Sequence, residues 1–107
     1  MNIKEFYDSF ENLEISEKRE VTDSYIEIVF LKKDLDSWMG SLSGFLGGPV
    51  KAPGEKPSKD NLLASNNHGG IEKDQTLFQK DTENGTVTAM LWPWQDGAHI
   101  TLKIILG

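Results

Sequence analysis

Apolar residues in the first stretch of the chain recur at intervals of three and four: Ile3, Phe6, Tyr7, Phe10 and Leu13. Lys4, Glu5, Asp8, Glu11 and Asn12 fill the other positions, so the spacing predicts an amphipathic helix over 3–13. Asn2 stands where an N-cap belongs, with Glu5 three residues on. The period then changes. Residues 14–23 are polar and are read as the turn into a strand. Tyr25-Ile-Glu-Ile-Val-Phe-Leu31 alternates, with Ile26, Ile28 and Phe30 on an apolar face and Tyr25, Glu27, Val29 and Leu31 on a mixed one. From Asp34 the helical period returns in Leu35, Trp38, Met39, Leu42, Phe45 and Leu46. Asp34 is the expected N-cap, and Gly47-Gly48-Pro49 the stop. Gly40 and Gly44 lie on one side of this second helix, each costing about 1 kcal/mol relative to alanine. Either they admit a close backbone approach or they simply loosen the helix.

Residues 47–75 carry turn chemistry in place of a hydrophobic pattern. Gly, Pro, Asn and Ser recur, and Asn61-Leu-Leu-Ala-Ser65 offers at most one helical turn. The stretch reads as a long excursion from one domain covering 1–107, because no second apolar pattern marks another unit. Beyond it the period is two. Gln75–Lys80, Thr86–Trp92 and His99–Leu106 read as three strands turning at Asn84-Gly85 and Asp96-Gly97. The expected fold is therefore α+β, a four-stranded, mainly antiparallel sheet with two helices in the order α-β-α-long loop-β-β-β. Helix 1 is expected on the aliphatic sheet face. Helix 2 either joins it there or crosses to the other side.

A tight turn at Asp96-Gly97 fixes which side chains share a face. Trp94 then opposes His99, Trp92 opposes Thr101, Leu91 opposes Leu102, and Met90 opposes Lys103. One face collects Val87, Ala89, Leu91, Pro93, Ile100, Leu102, Ile104 and Leu106. The other collects Thr88, Met90, Trp92, Trp94, His99, Thr101, Lys103 and Ile105. A two-residue turn at Asn84-Gly85 extends both faces, setting Phe78 against Leu91, Leu77 against Trp92 and Gln79 against Met90. Pro93 donates no ladder hydrogen bond and suits an edge, a bulge or a position whose N–H would face away from the neighbouring strand.

Composition narrows the chemistry. The chain has 107 residues, a formal net charge of −6, 37% hydrophobic residues and 26% charged residues. That balance suits a small soluble acidic protein and argues against a phosphate backbone as partner. Lys51, Lys56 and Lys59 form the densest basic cluster, but Glu55 and Asp60 dilute it, and it reads as a solvated loop. There is no cysteine, which removes thiol catalysis and thiolate metal sites. No stretch resembles a secretory signal or a membrane span. The expectation is a cytoplasmic protein with no membrane and no nucleic-acid partner.

Candidate chemistry gathers on the tryptophan face. Trp92, Trp94 and Met90, with Tyr25, His99, Thr101 and Lys103, have the composition of ligand pockets and of protein hot spots. They have equally the composition of a second small core. His99 is the acid–base candidate, since imidazole titrates near neutrality. An ordinary histidine packed on an indole explains it as well. His68 with His99 and Asp96, Asp74 or Glu72 lacks metal-ligand spacing. Gly44-Phe-Leu-Gly-Gly48 ends a helix where an anion site needs a helix start, and Asn67-His-Gly-Gly70 lacks the lysine of a phosphate loop. No serine sits in a nucleophile motif. The sequence thus points to a non-catalytic binding or accessory module without cofactor or metal. Its tryptophan face would hold a small apolar or aromatic ligand or a protein segment. Two alternatives use the same face: a small enzyme with His99 as general acid or base, and a homodimer.

Overall fold

A computed structural model describes residues 3–8, 13–52, 54–56, 58–59, 74–83 and 85–106. Helix α1 covers Ile3–Asp8 and strand β1 Glu17–Val21. Strand β2 covers Tyr25–Leu31, a single 3-10 turn Lys32–Asp34, and helix α2 Leu35–Leu46. Strands β3 (Thr76–Thr82), β4 (Gly85–Pro93) and β5 (His99–Leu106) complete the order. Among the described residues, five strands form one antiparallel sheet in the order β1-β2-β5-β4-β3. The architecture is α+β, but the expected four strands are corrected to five. The extra strand lies inside the polar stretch 14–23, whose sequence carries no strand period.

Strand β1, Glu-Lys-Arg-Glu-Val, is almost wholly exposed. It shows no apolar alternation because it is an edge with little to bury. Charged side chains on such an edge also discourage pairing with another chain. Its hairpin with β2 is made by Thr22. The Thr22 hydroxyl accepts from the backbone N–H of Tyr25 at 2.9 Å and of Ser24 at 3.3 Å. Arg19 and Glu20 together oppose the single residue Glu27, a bulge that breaks the register between Lys18 and Glu20.

The β4–β5 register is the one expected from the sequence. Leu91 pairs with Leu102, Trp92 with Thr101 and Pro93 with Ile100. Gly97, at φ 72°, supplies the left-handed residue of the turn. Asp96 Oδ1 accepts from the N–H of Ala98 at 2.8 Å and of His99 at 3.1 Å. The β3–β4 register differs from the expectation by two residues: Phe78 faces Ala89, Leu77 faces Met90, and Thr82 faces Gly85. Gly85 opens β4 instead of sitting in the turn. A shift of two preserves parity, so every side chain keeps its predicted face.

Both helices lie on the aliphatic face. The main core unites Ile3 and Phe6 of α1, Trp38, Leu42 and Leu46 of α2, and Ile26, Ile28, Phe30, Phe78, Val87, Ala89, Leu91, Ile100, Leu102 and Ile104 of the sheet. Phe30 stacks on Trp38 with centroids 4.8 Å apart, and Phe6 on Phe45 at 4.0 Å. Pro93, expected on that face, is exposed beyond it. A β-carbon added at Gly40 or Gly44 would meet nothing within 4 Å. These glycines therefore serve no close packing. Of the predicted helix over 3–13, residues 9–12, including Phe10, lie outside the described residues, and Leu13 packs against the core beyond α1.

Lys51 corrects a second expectation. It is fully buried, not solvated. Its Nζ donates to the carbonyl of Ala52 at 3.1 Å and to that of Gln75. Its backbone exchanges hydrogen bonds with Leu77 on the outer edge of β3. One side chain thus ties residues 51–52 to the start of β3, 24 positions along the chain. Burial holds the Lys51 ammonium below its ordinary pKa.

Candidate functional site

The face of the sheet opposite the helices carries the seven candidate residues, and β-alternation is what brings them together. Trp92 and Trp94 come from β4 and the residue after it, His99, Thr101 and Lys103 from β5, and Tyr25 from β2. Met90 is fully buried with Leu77 in a small second core, against which Trp92 and Ile105 pack. Thr101 is also buried. Met90 and Thr101 therefore form the floor of the face, while Trp92, Trp94, His99, Lys103 and Tyr25 are half-buried and form its surface.

The indoles have defined neighbours. Trp94 Nε1 donates to Thr101 Oγ1 at 2.7 Å, which lays the ring over β5. The His99 ring lies 4.8 Å from it, tilted by 32°. On Trp92, the Lys103 ammonium sits 3.9 Å from the ring centroid. The Arg19 guanidinium is 5.6 Å from the Trp94 ring. Both separations are within cation–π range. The Trp92 indole N–H is closed off from solvent and has no hydrogen-bond partner among the described residues, a cost of about 1–3 kcal/mol for a buried donor.

Two carboxylates organise the charges. Glu27 accepts from the Tyr25 hydroxyl at 2.5 Å and from Arg19 Nη1 at 3.2 Å, and it pairs across the strands with Lys103. The Tyr25 bond, with help from Arg19 and Lys103, holds Glu27 below the usual carboxylate range. Burial, then the same bond, pushes the Tyr25 phenol up. Asp96 Oδ2 lies 2.6 Å from His99 Nδ1. Asp96 is held low first by the Ala98 N–H and then by His99. Carboxylate and imidazole are both partly open to solvent, their side chains 43% and 31% exposed.

Arg19 and Glu27 had no place in the sequence-derived candidate set. Glu27 was visible on the mixed face of β2. Arg19 reaches the site only through the β1 bulge, for which the turn chemistry of Thr22-Asp23-Ser24 between Val21 and Tyr25 was the available signal.

The face is not an open apolar platform. The only large hydrophobic residue strongly exposed among the described residues is Val50. Two cavities lined by described residues lie away from it, one beside the β4–β5 turn and one between the end of α2 and β3. Among the described residues no three His, Asp or Glu side chains converge to hold a metal. His68 and Glu72 lie outside the described residues. No described helix is long and apolar enough to cross a membrane. Compared with protein-family models, with curated proteins and with solved structures, the chain gives no significant match.

Proposed function

We propose that this protein is a non-catalytic binding module that grips an extended protein segment across the Trp92/Trp94 face of its sheet. The supporting observation is the segregation of the two faces. α1 and α2 both pack on the aliphatic side. Trp92, Trp94, Tyr25, His99 and Lys103 stay half-buried on the other, beside Arg19. Tryptophan, tyrosine and arginine are the residues most enriched in binding hot spots. A segment suits the face better than a small aromatic ligand, because Lys103 and Arg19 already stand over the two indoles. A second copy of the chain is the homodimeric version of the same idea.

The test is peptide selection on the folded protein, followed by affinity measurement against Trp94→Ala and Arg19→Ala. Selected peptides should shift the indole resonances of Trp92 and Trp94 and bind Trp94→Ala at least about tenfold more weakly, the loss of a modest hot spot. Peptides that bind this variant as well as the parent protein contradict the reading. Light scattering decides between a segment and a second copy.

The catalytic alternative draws its support from one contact. Asp96 engages His99 Nδ1, which would fix the tautomer and leave Nε2 for proton transfer. It requires an activity that disappears in His99→Ala while the fold persists.

A further inference from the structure

The second place where this chain can hold a ligand is the end of the sheet beside the β4–β5 turn. An open cavity of about 460 Å³ lies there, lined by Leu31, Lys32, Lys33, Gly97 and Ala98. Its size falls within the range of small-molecule pockets. Its walls are tied to each other. The N–H of Lys32 donates to the carbonyl of Ala98 at 2.9 Å, joining the 3-10 turn to the loop opposite. Asp96 braces that loop through the N–H groups of Ala98 and His99. A pocket whose walls are already fixed loses little to ordering when it fills.

The lining identifies the occupant by what it offers and what it lacks. Leu31, Ala98 and the lysine stems present hydrocarbon, with the ammonium groups free to reach water at the rim. Gly97 adds no side chain, and a β-carbon there would meet nothing within 4 Å. Lys32 and Lys33 are exposed, and neither has an ion pair among the described residues. Most backbone donors of the turn are engaged within it. Besides those of Lys32, Ala98 and His99, the N–H of Gly97 donates to the Trp94 carbonyl at 3.3 Å. Phosphate cradles are built from converging free N–H groups, and with the N–H groups of Lys32, Gly97 and Ala98 bonded elsewhere this pocket does not present such a set. Two point charges above an apolar wall suit a single carboxylate on a short hydrocarbon body. Asp34 and Asp36 follow the lysines in sequence but do not line the cavity; their charge moderates the attraction.

We infer that the Lys32/Lys33 cavity binds a small organic carboxylate with a short apolar body. Only Leu31, the last residue of β2, comes from a strand, and none of the candidate residues of the tryptophan face lines the cavity, so the two sites can succeed or fail separately.

The experiment is a titration of the full chain, followed through its backbone amides, with hexanoate, hexanamide and inorganic phosphate. Hexanoate should give saturable shifts centred on Leu31, Lys33, Gly97 and Ala98, and the other two probes should not. Lys32→Gln with Lys33→Gln, both on the surface, should weaken hexanoate about fivefold, the share of two exposed charge contacts. Equal binding of hexanamide overturns the charge selection, and equal binding of phosphate overturns the apolar selection. Unchanged affinity in the double variant, shifts centred on Trp92 and Trp94, or no saturable shift would each overturn the site itself.

Discussion

The two faces of one sheet are built from the same strands, yet they meet different demands. On the helix side, Ile26, Ile28, Phe30, Leu91, Leu102 and Ile104 are fully or almost fully buried and need no polar partner. On the other side, every large ring is paired with something polar: Trp94 with Thr101, His99 and Arg19, Trp92 with Lys103, Tyr25 with Glu27. The first face obtains its stability from area removed from water. The second depends on directional contacts that each contribute about 1 kcal/mol or less at a half-exposed site. The contrast teaches that the helix side sets the fold, whereas the tryptophan side can be altered at modest cost in stability. A binding surface needs that freedom.

Substitutions should reproduce this ranking in urea unfolding. Trp38→Ala removes a buried ring stacked on Phe30 and should cost about 3–5 kcal/mol, enough to unfold much of the population. Next comes Lys51→Ala, which leaves the Ala52 and Gln75 carbonyls without their charged donor and opens a gap. About 2–3 kcal/mol is expected. On the tryptophan side, Trp94→Phe keeps an aromatic ring but loses the bond to Thr101, and about 1 kcal/mol should go. A loss as large as that of Trp38→Ala would erase the distinction between the faces. Gly44→Ala should go the other way, stabilising by up to about 1 kcal/mol, because the added methyl meets no neighbour.

The smallest effect is read as a slope against pH. Asp96 and Glu27 both have folded-state pKa values depressed below their unfolded ones. Their contribution is complete above the ordinary carboxylate pKa of about 4. It drains away as the pH falls through the depressed values, since the unfolded chain then binds more protons. Asp96→Asn should flatten the acid limb of the stability profile by lowering stability above pH 6, the difference from the parent protein closing as the pH falls. An unaltered acid limb would show that the Asp96 contacts are not kept in solution.

Legibility in the sequence followed the same division. The aliphatic face could be read because period-two alternation and the Asp96-Gly97 turn together leave one register. The partition of Trp92 and Trp94 from Leu91 and Leu102 came with it. The Asn84-Gly85 signal gave the hairpin but set the pairing two residues off, and parity concealed the error. Strand β1 was illegible by pattern, since an edge strand of Glu, Lys and Arg buries almost nothing that would leave a period. Lys51 escaped for the opposite reason. Lysine is among the residue types least often buried, and only the tertiary pairing of residue 51 with Leu77 reveals the carbonyls that satisfy it. The Arg19–Glu27–Lys103 row assembles across three strands, so no local spacing announces it.

The most direct test of this account is a nuclear Overhauser spectrum of the three indoles. Trp38 should show proximity to Phe30, and Trp94 to Thr101 and His99. Neither Trp92 nor Trp94 should approach Ile3, Phe6 or Leu42. Cross-peaks joining either of those two indoles to the helix residues would contradict the segregation of faces and the binding surface that rests on it.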